Sequence, residues 1–260
     1  MSATRLLATF AAATLLAACS DGGRPDAQLT VPDNPTTRAI AENIRQNDEA
    51  AQQRQEAAEL ERKRQAALPD ADLSTPLESY TPLRSGAQLM QLYYAVSGLP
   101  VPWERLAGEV SNDYRATSDS FQKQDILQAL RPRLEKEIAD FAANRYIAFP
   151  VRFDVQPYDH ERGGFPIHSI AADTSYGFGG SSSRYALSFL NAETFRFARI
   201  EDQEQARTIE AERAQRYGRF NATIHAFVRD AVDESGRYMI KGQIARIVVE
   251  SQDGRIRFEY

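Results

Sequence analysis

Three histidines and one cysteine are the only side chains of their kinds in 260 residues, so candidates for proton transfer, nucleophilic attack or metal binding near neutral pH are few. The densest group is Asp159-His160-Glu161, followed by His168 and Asp173. Carboxylate oxygens with imidazole nitrogen suit a divalent ion, and paired carboxylates suit hydrolytic acid–base work. The spacing lacks two histidines one helical turn apart, however, and Asp-His-Glu-Arg-Gly-Gly has the composition of a solvated turn. We read it as a loop and expect no metal, cofactor or catalytic set.

A second unusual stretch is Tyr176-Gly-Phe178-Gly-Gly-Ser-Ser-Ser183. Glycines let a backbone approach phosphate, but no Walker-type lysine follows and the next residues alternate like a strand. The stretch reads as a loop between strands whose Tyr176 and Phe178 are free to stack on a sugar or a partner. His225, between Thr223 and Phe227, falls opposite the apolar face of its strand and is expected half-exposed. Arg246, Arg255 and Arg257 fall on a terminal hairpin, where such charges guard a sheet edge. No G-x-S-x-G elbow occurs, and a net charge of −5 with 27 Arg against 4 Lys gives no nucleic-acid signature.

The elements that position these residues follow from periodicity. Leu89, Leu92, Tyr93 and Val96 share a helical face that Gly98 and Pro100 end, and Trp103, Leu106 and Val110 suggest a short second helix. Ser118 to Asn144 is the longest helical stretch, with Phe121, Leu127, Leu130, Leu134, Ile138 and Phe141 on its face and Asp119 or Ser120 as its cap; Pro132 marks a kink or a restart. At Tyr146 the period becomes two, with Ile147, Phe149, Val151, Phe153 and Val155 alternating and Pro150 pointing to an edge. Further strands are expected at Tyr185–Phe189, around Phe195–Arg199, over Phe220–Val228 and over Tyr238–Glu250. A polar surface helix spans Glu201–Tyr217, and Asp253-Gly254 signals a two-residue hairpin into Ile256–Tyr260. Helices first and strands later predict an α+β domain over 83–260, with an antiparallel sheet ending in a three-stranded meander.

Upstream, Thr36 to Leu68 is rich in Ala, Glu, Gln and Arg without Gly or Pro. A heptad seam through Ile40 and Ile44 is apolar only at its ends, so 36–68 predicts a polar helical or coiled-coil-like stalk; fully helical, it would extend about 50 Å. Pro69 to Pro82 reads as a linker and 19–35, rich in Gly and Pro, as a tether.

At the start of the chain, one Arg precedes an apolar run from Leu6 to Ala18 that is too short to span a bilayer, as expected of a signal peptide over 1–18. It ends in Leu16-Ala17-Ala18-Cys19, which resembles the lipobox of bacterial lipoproteins, with the sole cysteine at the position the motif requires. The resemblance implies lipidation of Cys19, acyl chains including palmitate, and anchoring at a membrane. Ser20, standing where an Asp often marks inner-membrane retention, implies the outer membrane, facing the periplasm. The body resembles an uncharacterised proteobacterial lipoprotein. The expected role is non-catalytic binding or scaffolding with an envelope protein partner and no nucleic acid. The alternatives are an envelope hydrolase using Asp159, Glu161 or Asp173, with or without a metal at His160 and His168, and a small-ligand-binding lipoprotein.

Overall fold

The computed structural model of the chain describes residues 35–72, 74–179, 183–215 and 217–260. The expected signal peptide, Cys19 and nearly all of the tether lie outside the described residues, as do Gly180, Ser181 and Ser182.

The chain divides into two units, one ending at Lys63 and one beginning at Arg64. What is described of the first belongs to helix α1 (Pro35–Ala66), which is exposed from Glu42 to Glu49 and from Ala51 to Lys63, with Ile44 and Leu60 open to solvent. Good helix formers and pairs such as Glu59–Lys63 sustain it, with no buried side chain among those described from Glu42 to Lys63. Its 32 residues make a rod about 48 Å long. Among the described residues no helix is long and apolar enough to cross a membrane.

The second unit combines helices with a six-stranded sheet and a two-stranded one. It begins with β1 (Thr81–Pro82), α2 (Gly86–Ser97), α3 (Trp103–Val110), α4 (Asn112–Ala116) and α5 (Ser120–Ala143). α2 opens with the Ser85 hydroxyl accepting the Gln88 N–H and closes at Gly98, whose φ of 66° is left-handed. Seven of its residues are buried because it lies on the sheet and is itself covered by α3 and α5. The Asp119 carboxylate caps α5, which runs through Pro132 as one helix instead of restarting, and Pro132 is exposed. Leu134 and Phe141 face the core, but Phe121 is 83% exposed, against expectation. At 100° per residue, Phe121 falls about 140° round the helix from Leu134, so it never shared that face.

The strands that follow are β2 (Tyr146–Asp154), β3 (Gly164–Pro166), β4 (Tyr185–Phe189), β5 (Phe197–Arg199), β6 (Arg219–Glu234), β7 (Arg237–Glu250) and β8 (Arg257–Glu259), with helix α6 (Gln203–Gln215) between β5 and β6. The main sheet runs β1-β2-β6-β7-β4, and β8 joins β7. The expected antiparallel sheet is in fact mixed: β1 pairs parallel with β2, and β4 parallel with β7. The reason is that β4 docks on the free flank of β7 from a long connection rather than from a hairpin. β4 and β8 share that flank, and between them the Asn191 side-chain amide fills the ladder, accepting the Ile244 N–H at 2.8 Å and donating to its carbonyl at 2.9 Å. Pro150 is tolerated because β1 covers only Ile147 and Ala148, leaving β2 as an open edge beyond them. Ser235 and Gly236, both at positive φ, turn β6 into β7. Asp253-Gly254 is not a two-residue turn: the loop closes at Ser251 N–H to the Ile256 carbonyl, with four residues between, because the Ser251 hydroxyl binds both Asp253 and the Ile256 N–H.

Two bulges shift the β6–β7 register, leaving Ala245 and Arg229 unpaired. Ile224 to Val228 are all buried, so β6 is covered on both faces. One face meets α2. The other is crossed by the stretch before β1: Arg64 pairs with Asp230 at 2.7 Å, Arg229 donates to the Pro69 carbonyl and to Asp70, the Asp72 N–H donates to the Tyr146 hydroxyl, and Asn144 donates to the Ser79 carbonyl. Tyr80 lies edge-on to both Tyr146 and His225.

Candidate functional site

A concavity of about 770 Å³ lies between α6 and the loop Pro157–His160. That volume is within the range used by small-ligand pockets. Local chemistry explains its shape. Ala206 and Ile209 anchor α6 to the core, and one turn further the Glu210 carboxylate reaches across to accept the Tyr158 N–H at 3.2 Å. Arg213 grips the same carboxylate from its own helix at 2.8 and 2.6 Å. These hydrogen bonds from Arg213, more than the one from Tyr158, hold Glu210 below the usual glutamate range, although partial burial opposes them. The loop is thus tied to the helix at one point, and the groove runs past it.

The groove floor consists of small side chains, including Ala211 and Ala214, with Pro157 and Tyr158 on the facing wall. The Tyr158 ring is edge-on to His160 at 5.0 Å and to Phe165 at 5.1 Å, so one side of it is fixed from below. Arg207 lines the groove one turn before Ala211 with no carboxylate within ion-pair distance among the described residues, whereas Glu210 is already neutralised by Arg213. A guanidinium and an imidazole that line one groove with alanine methyl groups can take an anionic group attached to a slim apolar segment.

Of the residues singled out from the sequence, only His160 enters this groove. Asp159 instead closes its own turn: its Oδ1 accepts the Glu161 and Arg162 N–H groups. Glu161, His168 and Asp173 are exposed, and among the described residues no three His, Cys, Asp or Glu side chains converge as metal ligands. Tyr176 and Phe178 do not project outward. Tyr176 packs on Phe189, donates its hydroxyl to the Ser169 carbonyl and bridges Leu187, while Phe178 meets Phe149 at 5.3 Å. Burial drives the Tyr176 phenol far above its ordinary value. Arg246, Arg255 and Arg257 each lie within 3.6 Å of a carboxylate, Glu259, Asp253 and Glu250 respectively, which disperses any anion-binding patch.

His225 departs most from expectation. It is 8% exposed rather than half-exposed, because Tyr80 covers the face that would otherwise meet solvent. Sequence reasoning also missed Arg207 and Glu210, since a helix rich in Glu, Gln and Arg looks featureless until its partner loop is known; the spacing of Ala206 and Ile209 was the available signal. It missed, too, a cluster of Tyr93, Tyr94, Tyr185 and Tyr238, in which Tyr185 and Tyr238 stack at 4.8 Å and the Tyr94 and Tyr185 hydroxyls lie 3.1 Å apart. Burial and the Tyr94 hydrogen bond push the Tyr185 phenol far upward, so it stays protonated as a structural group. No family model, no curated protein and no solved structure matches the chain.

Proposed function

We propose that the protein is a lipid-anchored component of the cell envelope, held at the outer membrane by acyl chains on Cys19 and facing the periplasm, with a body that binds a partner without transforming it. The anchor is supported by Leu16-Ala17-Ala18-Cys19, and two or more acyl chains suffice for stable attachment. A 32-residue helix, exposed from Glu42 to Glu49 and from Ala51 to Lys63, supports a spacer role between anchor and body. In the body, the pairing of β6 with β7 and of β7 with β8 supports a terminal three-stranded meander.

The observation that carries the binding role is Arg207, which among the described residues has no ion-pair partner, in a groove of about 770 Å³ whose one lining carboxylate among them, Glu210, is already satisfied. We read the preferred partner as a carboxylate-bearing peptide segment of an envelope protein: the charged group on Arg207 and His160, small side chains on the alanine floor. The test places a photo-crosslinking residue at Ala211 in the full-length protein within intact cells. A discrete protein adduct that is lost with Arg207→Gln supports the reading. No adduct above background, or one indifferent to Arg207, overturns it.

A further inference from the structure

We propose that the cleft between α2 and α5 is a second binding site, for a small zwitterion of the free α-amino acid class, with Gln91 and Glu137 taking its ammonium and Arg84 its carboxylate. The cleft shares no lining residue with the α6 groove and goes beyond the anchoring and partner-binding roles above.

The two helices pack on each other and supply most of the cleft. Gln88 and Gln91 come from neighbouring turns of α2, and Arg133, Glu137 and Asp140 from successive turns of α5. The concavity measures about 500 Å³, a size that suits a small ligand. Local bonds fix the chain where α2 begins. The Gln88 N–H donates to the Ser85 hydroxyl at 3.3 Å, and the Gln88 Oε1 accepts the Arg84 N–H at 2.6 Å. Arg84 therefore joins the lining from a backbone that is held in place.

Gln91 carries the argument. It is only 2% exposed, and a buried amide is stable when its polar atoms are paired. Its Nε2 donates to Glu137 Oε2 at 2.5 Å; a carboxylate can only accept, so this bond fixes which end of the amide is which. No described residue donates to the remaining Oε1. The cleft thus holds a buried acceptor beside a carboxylate, a pair that suits the several donors of an ammonium. Glu137 is available for it. Its other oxygen lies 3.5 Å from Arg133 Nε, a loose pair between side chains 41% and 57% exposed, which contributes little. Arg84 has no carboxylate within ion-pair distance among the described residues, and its planar fork suits a ligand carboxylate.

The charges select against simpler molecules. Two carboxylates, Glu137 and Asp140, line the cleft with two guanidinium groups, Arg84 and Arg133. A plain anion meets the first pair and a plain cation the second, whereas a molecule that carries both signs answers each. Val110 and Phe141 add apolar surface for a side chain.

NMR titration of the full chain with each common free α-amino acid in turn tests this. At least one should shift the Gln91 side-chain amide and the Arg84 N–H, saturating below about 1 mM. For the best of them, the amine without the carboxylate and the acid without the ammonium should each bind about tenfold more weakly or worse. Gln91→Leu should weaken the amino acid about tenfold. Arg84→Gln should do the same and leave the amine analogue unaffected. Arg84 is exposed, so this variant decides alone should Gln91→Leu misfold. Absence of a saturable shift with every amino acid, an analogue that binds as tightly, or binding indifferent to Arg84→Gln each overturns the proposal. None of these results bears on the crosslink at Ala211, which reports on the α6 groove alone.

Discussion

Single residues carry more of this fold than their chemistry suggests. Asn191 stands in for a strand residue between β4 and β8, and truncating it leaves the Ile244 N–H and carbonyl without partners in a half-buried site. Asn191→Ala is expected to lower stability by about 1–3 kcal/mol, read from urea unfolding. Gly164 is confined by close approach: a Cβ there would stand 2.3 Å from the Ala198 carbonyl oxygen, so Gly164→Ala should separate β3 from β5 and lower the thermal midpoint sharply. At Glu210, the depressed carboxylate means that its pairing with Arg213 stabilises above the ordinary glutamate value of about 4.3 and is lost as pH falls through the lower folded value. Acid unfolding of Glu210→Gln should therefore show a shallower loss of stability over that window; an unchanged profile would remove Glu210 as the tie between loop and helix.

Among the elements, α5 shows how far a periodic pattern can be trusted. Its cap at Asp119 was readable because a short carboxylate before a helix-forming run satisfies the first free N–H groups, here those of Phe121 and Gln122. Asp119→Ala should cost about 0.5–2 kcal/mol. Phe121 was not readable as a surface residue, since hydrophobicity argued for burial and only its angular offset argued against it. Phe121→Ser should change stability by no more than about 0.5 kcal/mol, measured by the same unfolding, and a large loss would mean that α5 is rotated from its described position. The strands of the β6–β7 hairpin were legible from alternation over Phe220–Val228 and Tyr238–Glu250, although β6 runs on to Glu234. Its bulges were not, because a one-residue register shift leaves no mark in the hydrophobic pattern.

For the whole molecule, the proposed anchor and the body make separable demands. Cys19→Ser is expected to move the protein from the membrane to the soluble periplasmic fraction while the unfolding profile of the body stays the same. Retention at the membrane in that variant would sink the anchoring role without touching the groove. The body itself is organised around β6, buried on both faces: helices supply one cover, and the stretch from Arg64 to Tyr80 supplies part of the other. A chain stretch whose composition reads as a linker thereby lies hydrogen-bonded across the sheet.

The sequence by itself left α4, β1, β3 and the reach of β6 to Glu234 unread, but it determined the main helices, the strands from Tyr146, Tyr185, Phe220 and Tyr238, and the polar character of α1. These follow from hydrophobic period, capping and backbone sterics, which act over a few residues. Only the tertiary structure decided that β4 pairs parallel with β7, that Tyr80 seals His225, that Tyr176 and Phe178 turn inward and that Arg207 lines a groove. Each depends on which distant segment covers a given face, and an alternating or amphipathic pattern reveals that a face is covered without revealing by what.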